Sequence, residues 1–101
     1  MLNAQQRAKL RSLGASLKDL VFVGKEGVTD NVIAQVDDNL FAHELIKVKV
    51  QKTAPDDIKI IANEICEKSD CELVSVIGSK ILLFKPTEKA KFIHLLDDYK
   101  F

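Results

Sequence analysis

Residues 17–50 read LKDLVFVGKEGVTDNVIAQVDDNLFAHELIKVKV, and this stretch decides the fold. Leu20 to Val23 is a short apolar run rich in β-formers, which predicts a strand. It stops at Gly24-Lys25-Glu26-Gly27. Thr29 is then suited to cap a helix, with Asp30 favourably placed at the positive end of the helix dipole. Val32, Ile33, Val36 and Leu40 recur at helical spacing, with Gln35, Asp37 and Asp38 on the other side. Ile46-Lys47-Val48-Lys49-Val50 alternates strictly, so its two lysines must point away from its three aliphatics. Strand, glycine-bracketed turn, helix and strand together form a parallel crossover unit, expected to be right-handed.

The elements on either side extend this unit. Asn3 to Leu13 reads as a helix, because Asn3 and Gln6 have capping-box spacing and Leu10, Leu13 and Leu17 trace an apolar side. Gly14 is its expected stop. A third helix is expected from near Pro55, a residue suited to a first helical turn, with Ile58, Ile61, Ala62 and Ile65 as its inner stripe. Leu73–Ile77 and Ile81–Phe84 read as two strands of a hairpin turning through Gly78-Ser79-Lys80. Phe92, Leu95, Leu96 and Tyr99 have the spacing of a short C-terminal helix. The order α-β-α-β-α-β-β implies an α/β fold, one four-stranded mixed sheet with helices packed on it. We expect one domain over residues 1–87 and a tail over 88–101.

The 101 residues suffice for one domain, and 47% hydrophobic content suffices for one core, mostly aliphatic since there is no Trp. No apolar run approaches a membrane span, and the N-terminal MLNAQQRAKL lacks the apolar stretch of a signal peptide. These features lead us to expect a cytoplasmic protein, with no membrane partner and no long apolar seam for a dimer. Cys66 and Cys71 are then expected as reduced, ordinary thiols; they lack zinc-site spacing, and His43 and His94 are not grouped with them.

The formal net charge is zero, yet the charges come in blocks. Residues 1–27 carry a net +3, residues 28–46 carry −4, residues 47–52 carry +3, residues 53–75 carry −4 and residues 76–91 carry +3. Either the basic blocks converge on one face or they intermix with the acidic ones on a solvated surface. Composition alone favours intermixing.

Catalysis finds little support. The sequence has no nucleophile elbow, no phosphate-binding P-loop and no metal-binding triad, so we expect no enzyme, no cofactor, no metal and no small-molecule substrate. Asp37-Asp38, Asp56-Asp57 and Asp97-Asp98 are adjacent carboxylates, which do not face each other on a helix and read as solvated surface. His43 suits a place near the negative end of the second helix. The Gly24–Gly27 turn stands apart. Glycine at both ends allows backbone to approach a ligand closely, and the helix start behind it offers unpaired N–H groups to phosphate. A GxxG loop of this kind clamps nucleic-acid backbone in KH domains. Alone it is a weak signal, since glycine-flanked strand-to-helix turns are common. Lys25 within it, and Arg7, Arg11, Lys18, Lys47, Lys49, Lys80 and Lys85 around it, point to nucleic acid. Lys47 and Lys49 read equally as the ordinary wet side of a strand.

The same residues resemble a known family. GxxG at 24–27, followed by a helix ending in His43-Glu44-Leu45-Ile46-Lys47-Val48-Lys49, resembles the core of the CRM domain (chloroplast RNA splicing and ribosome maturation), which occurs alone in bacteria as YhbY-type proteins. Val76-Ile77-Gly78 and Phe84-Lys85-Pro86 resemble its closing hairpin, although Lys85 stands where we expect Arg. The resemblance spans about residues 3–87. It implies a fold akin to the C-terminal domain of bacterial translation initiation factor three. It also implies structured RNA as partner, bound through Gly24, Lys25, Glu26, Gly27 and the seven basic residues named above. For bacterial members it implies association with precursors of the large ribosomal subunit, in ribosome assembly, without catalysis or cofactor. The alternative expectation is a protein-interaction module that docks another assembly or translation factor through its acidic helices or aromatic tail.

Overall fold

The protein is described by a computed structural model covering residues 2–86. The expected tail at 88–101, its short helix, His94 and Asp97-Asp98 lie outside the described residues. Seven elements follow one another: α1 (Ala4–Gly14), β1 (Asp19–Val23), α2 (Asp30–His43), β2 (Leu45–Val50), α3 (Ile58–Ser69), β3 (Glu72–Ile77) and β4 (Lys80–Phe84). This is the α/β order read from the sequence. The strands form one mixed sheet in the order β1-β2-β4-β3. β1 and β2 are parallel, as the crossover requires, and β4 lies antiparallel to both β2 and β3.

Local chemistry accounts for the element ends. Asn3 and Gln6 close the expected capping box on α1, each side chain accepting the other's backbone N–H. Thr29 caps α2 by accepting from the N–H of Val32. One expectation needs correction. α3 does not begin near Pro55: its cap is Asp57, whose carboxylate accepts from Lys59 N, and its first residue is Ile58. Pro55 belongs to the preceding turn, where its ring lies against Gly27. Gly14 ends α1 as expected, and the next residue, Ala15, stays right-handed at φ −58°, ψ −33°. A Cβ on Gly14 would lie 2.6 Å from Leu82 Cδ2, so glycine is needed for close approach of helix to sheet.

The sheet separates two apolar layers. On one face, Val21, Val23, Ile46, Val48, Val50, Ile81 and Leu83 pack against Val32, Val36 and Leu40 of α2 and Ile61, Ala62 and Ile65 of α3. On the other, Leu45, Val74, Leu82 and Phe84 pack against Leu2 and Leu10 beneath α1. Thus β2 and β4 lie between layers and give apolar residues to both, apart from Lys47, Lys49 and Lys80, while β1 uses only alternate residues for its buried side. Leu10 is fully buried, whereas Leu13 is exposed beside a groove that Leu17, Leu20 and Leu45 also line.

The layering also sorts the charges. α1 carries Arg7, Lys9 and Arg11 and no acid, whereas α2 on the opposite face carries Asp30, Asp37 and Asp38 and no Lys or Arg. Sheet packing, which puts the two helices on opposite sides, therefore segregates what composition alone would have intermixed.

Candidate nucleic-acid interface

The GxxG loop leaves the C-terminal end of β1. Gly27 N donates to Gly24 O at 3.0 Å, closing a tight turn that leaves Lys25 and Glu26 exposed at its tip. Gly27 is buried and adopts φ +70°, a left-handed conformation that glycine reaches without steric cost. The β2–α3 connection supports the loop from one side. Gln51 N donates to Val23 O at 2.8 Å, and Pro55 packs beside Gly27. Gly24 approaches only the end of the Gln51 side chain. Val28 and Thr29 then lead into the N-terminus of α2.

The same end of the sheet collects several other groups. The β3–β4 turn, with Gly78 at φ +59°, lies there, since Val50 N donates to Ser79 O at 2.8 Å. The strand register then aligns one row of side chains across the face that α1 partly covers. Phe22 of β1 is paired with Lys49 of β2, Lys49 with Lys80 of β4, and Lys80 with Ile77 of β3. All four face away from the α2–α3 core, because Val21, Val48, Ile81 and Val76, their chain neighbours, pack into it. Phe22 is 51% exposed and Ile77 66%. Lys80 is paired with the carboxylate of Asp19. Next to this row, where the last turn of α1 meets the sheet, is a cleft of about 250 Å³. Arg11, Lys47 and Lys80 stand around Gly14, Ile77 and Leu82 in its wall.

The residues expected at the site therefore divide. Gly24, Lys25, Glu26 and Gly27 form one loop, and Lys49 and Lys80 lie in the adjacent row, with Lys47 and Arg11 around the cleft. Lys18 precedes the opposite end of β1, in a separate groove with Leu13, Leu17, Leu20, His43 and Leu45. Arg7 is held on the β3 side, where its guanidinium donates to the carbonyls of Leu73 and Val74. Lys85 follows β4 at the far end of the sheet from the loop, and its ammonium donates to Ser69 O at the end of α3, at 3.0 Å. Arg7 and Lys85 are thus committed to backbone carbonyls away from the GxxG loop. Sequence spacing could not reveal this, since both partners lie in other elements.

Three features went unread in the sequence. Phe22 was legible only as part of an apolar run, although alternation with Val21 and Val23 would have put it on the open face. Lys52 is exposed just beyond β2, at the loop end of the sheet. Cys66 and Cys71 bring their Sγ atoms to 3.8 Å from each other, both half-buried and free. The hydrogen bond from Cys71 lowers the Cys66 thiol pKa, against burial and the nearby Glu72. The same bond and burial push the Cys71 thiol up. Among the described residues no group of three or more His, Cys, Asp or Glu side chains is arranged to hold a metal ion.

Three helices on a four-stranded mixed sheet, with an exposed GxxG loop between the first strand and the second helix, define a small α/β domain, and comparison with known proteins gives its family. The CRS1 / YhbY (CRM) domain model matches residues 2–85, and the chain belongs to that family. It is 39% identical over 95 residues to a Bacillus subtilis protein named "Probable RNA-binding protein YqeI", covering 94% of this chain and 99% of that one. It is 34% identical over 90 residues to a Haemophilus influenzae protein named "RNA-binding protein", covering 89% of this chain and 91% of that one. The solution structure of SAV1595 from Staphylococcus aureus, a candidate RNA-binding protein, superposes with a TM-score of 0.78 at 40% identity, covering 95% of this chain and all of that one.

Proposed function

We propose that this protein binds structured RNA through the GxxG loop and its neighbouring cations, and acts in assembly of the large ribosomal subunit without catalysing a reaction. The observation that carries this reading is the location of Lys25. It stands exposed at the tip of a turn held by Gly27 at φ +70°, beside a helix start and the row holding Lys49 and Lys80. Phosphate suits this arrangement, since backbone N–H groups, a helix N-terminus and ammonium groups all favour an anion. Membership of the CRM family and the names of the relatives support RNA over DNA. The surface charge is local: the acids of α2 lie on the other side of the sheet, so a zero net charge is no obstacle to binding.

Sedimentation of native lysate at low and high salt tests the proposal. Co-migration with immature large-subunit particles at low salt, lost at high salt, is expected. Migration as free protein at every salt would overturn the ribosomal reading. Lys25→Glu should abolish co-migration while leaving the unfolding curve unchanged, because an exposed loop substitution costs little stability.

A further inference from the structure

The row Phe22–Lys49–Lys80–Ile77 is unusual for the outer face of a sheet. Two lysines stand directly opposite each other on β2 and β4, an arrangement that costs stability in a sheet. Asp19 offsets one of them. Lys49 has no ion pair among the described residues. At either end of the row stands a large apolar side chain that is more than half exposed. α1 does not cover this strip: its last turn stops at Leu82, one position below. The strip is therefore open, apolar at its edges, cationic at its centre and continuous with the cleft at Arg11 and Lys47.

Resting on the RNA reading above, we infer that this strip receives an unpaired segment of the RNA, with one base stacked on the ring of Phe22 and the neighbouring phosphates drawn to Lys49 and Lys47. The choice of occupant follows from complementarity. An apolar ring flanked by ammonium groups matches a base flanked by phosphates, and base–aromatic stacking beside a basic groove is the general solution for single strands. From Phe22 to Ile77 the row spans three strand spacings, about 14 Å, so a second base has room over Ile77 and the cleft. Bases within a duplex are stacked on each other and cannot present a face to Phe22. The GxxG loop and this strip therefore divide the work: the loop takes backbone phosphates, paired or not, and the strip distinguishes unpaired from paired RNA. Every base has a stacking face, so the strip reads exposure of bases rather than their sequence.

The test uses the full chain and two fluorescent RNAs, a hairpin with an unpaired loop and its stem alone as a blunt duplex, titrated at low salt. Phe22→Ala should weaken hairpin binding about 5- to 150-fold, the range for losing one stacked base, and leave duplex binding within about twofold. Lys25→Glu should weaken both. Phe22→Tyr, which keeps the ring, should restore the hairpin affinity and covers the case in which the alanine variant folds poorly. Aminopurine in the hairpin loop should be quenched by the wild type and not by Phe22→Ala. Equal hairpin affinity for wild type and Phe22→Ala, with Lys25→Glu still impaired, would overturn the stacking strip and leave the RNA reading intact. Failure of the wild type to bind either RNA would overturn both, and would leave the strip to a protein partner.

Discussion

Gly27→Ala isolates the backbone chemistry of the candidate RNA loop. Gly27 sits at φ +70°, where an L-residue with a Cβ costs roughly 1–2 kcal/mol. The added Cβ would also lie 3.2 Å from Pro55 Cγ, so the ring must yield by a few tenths of an ångström. Reduced freedom of the unfolded chain recovers less than this, because alanine does not fit the native dihedral without strain. We expect a net loss of about 1–2 kcal/mol, or a fall in Tm of roughly 4–16 °C for a domain of this size. Gly24→Ala is the internal control. Its φ is not in the left-handed region, and the added Cβ would meet only the end of the Gln51 side chain, which is exposed and able to move. That variant should unfold within about 0.5 kcal/mol of wild type. Urea unfolding followed by circular dichroism, with both variants fitted to a common slope, reads the difference directly. Equal stability of Gly27→Ala and wild type, or a larger loss for Gly24→Ala, would refute the assignment of strain to Gly27 alone.

Three further predictions concern other groups. Lys25, Lys47, Lys49, Lys52 and Arg11 have no ion pair among the described residues, so with about five phosphate contacts log K should fall against log salt with a slope of about −3.5 to −4.5; a flat dependence would remove the electrostatic basis of the proposal. Arg7→Ala should cost about 1–3 kcal/mol in urea unfolding, from the lost bonds to the carbonyls of Leu73 and Val74, while the folded variant keeps RNA affinity better than Lys25→Glu does; the reverse ranking would return Arg7 to the interface. Alkylation should select Cys66 over Cys71, with a pH midpoint below that of an ordinary thiol, and Cys71→Ala should move the midpoint up by removing the donor to the Cys66 thiolate. The sign follows from the lowered pKa: the thiolate form is the one the fold stabilises, so reactivity appears at lower pH than in the unfolded chain.

The sheet divides the charges between its two faces. α2 and α3 bury their apolar stripes on one face, and α1 buries Leu10 on the other. The acids of α2 and the bases of α1 cannot then share a surface. A chain of zero formal charge thereby gains a basic side without any excess of lysine and arginine.

Most of the fold was legible in the sequence because it is written in local periodicity. The alternation of Ile46 to Val50, the helical spacing of Val32 to Leu40, and the caps Asn3 and Thr29 each depend on neighbours within one or two turns of chain. The GxxG motif is equally local, and with the HELIKVK segment it identified the family. Where local signals compete, tertiary packing decides: Pro55 suits a first helical turn, but it packs against Gly27 in the preceding turn and Asp57 caps α3. Gly14 does end α1, as the sequence suggested, but what excludes a side chain there is Leu82, 68 positions along the chain. The division of the cations was beyond local reading altogether. Arg7 and Lys85 look as free as Lys49 in the sequence, and only the tertiary structure gives them to carbonyls of β3 and α3. Likewise the row of Phe22, Lys49, Lys80 and Ile77 exists only through strand register. Register joins residues that are far apart in sequence, and it is fixed by the packing of both sheet faces at once.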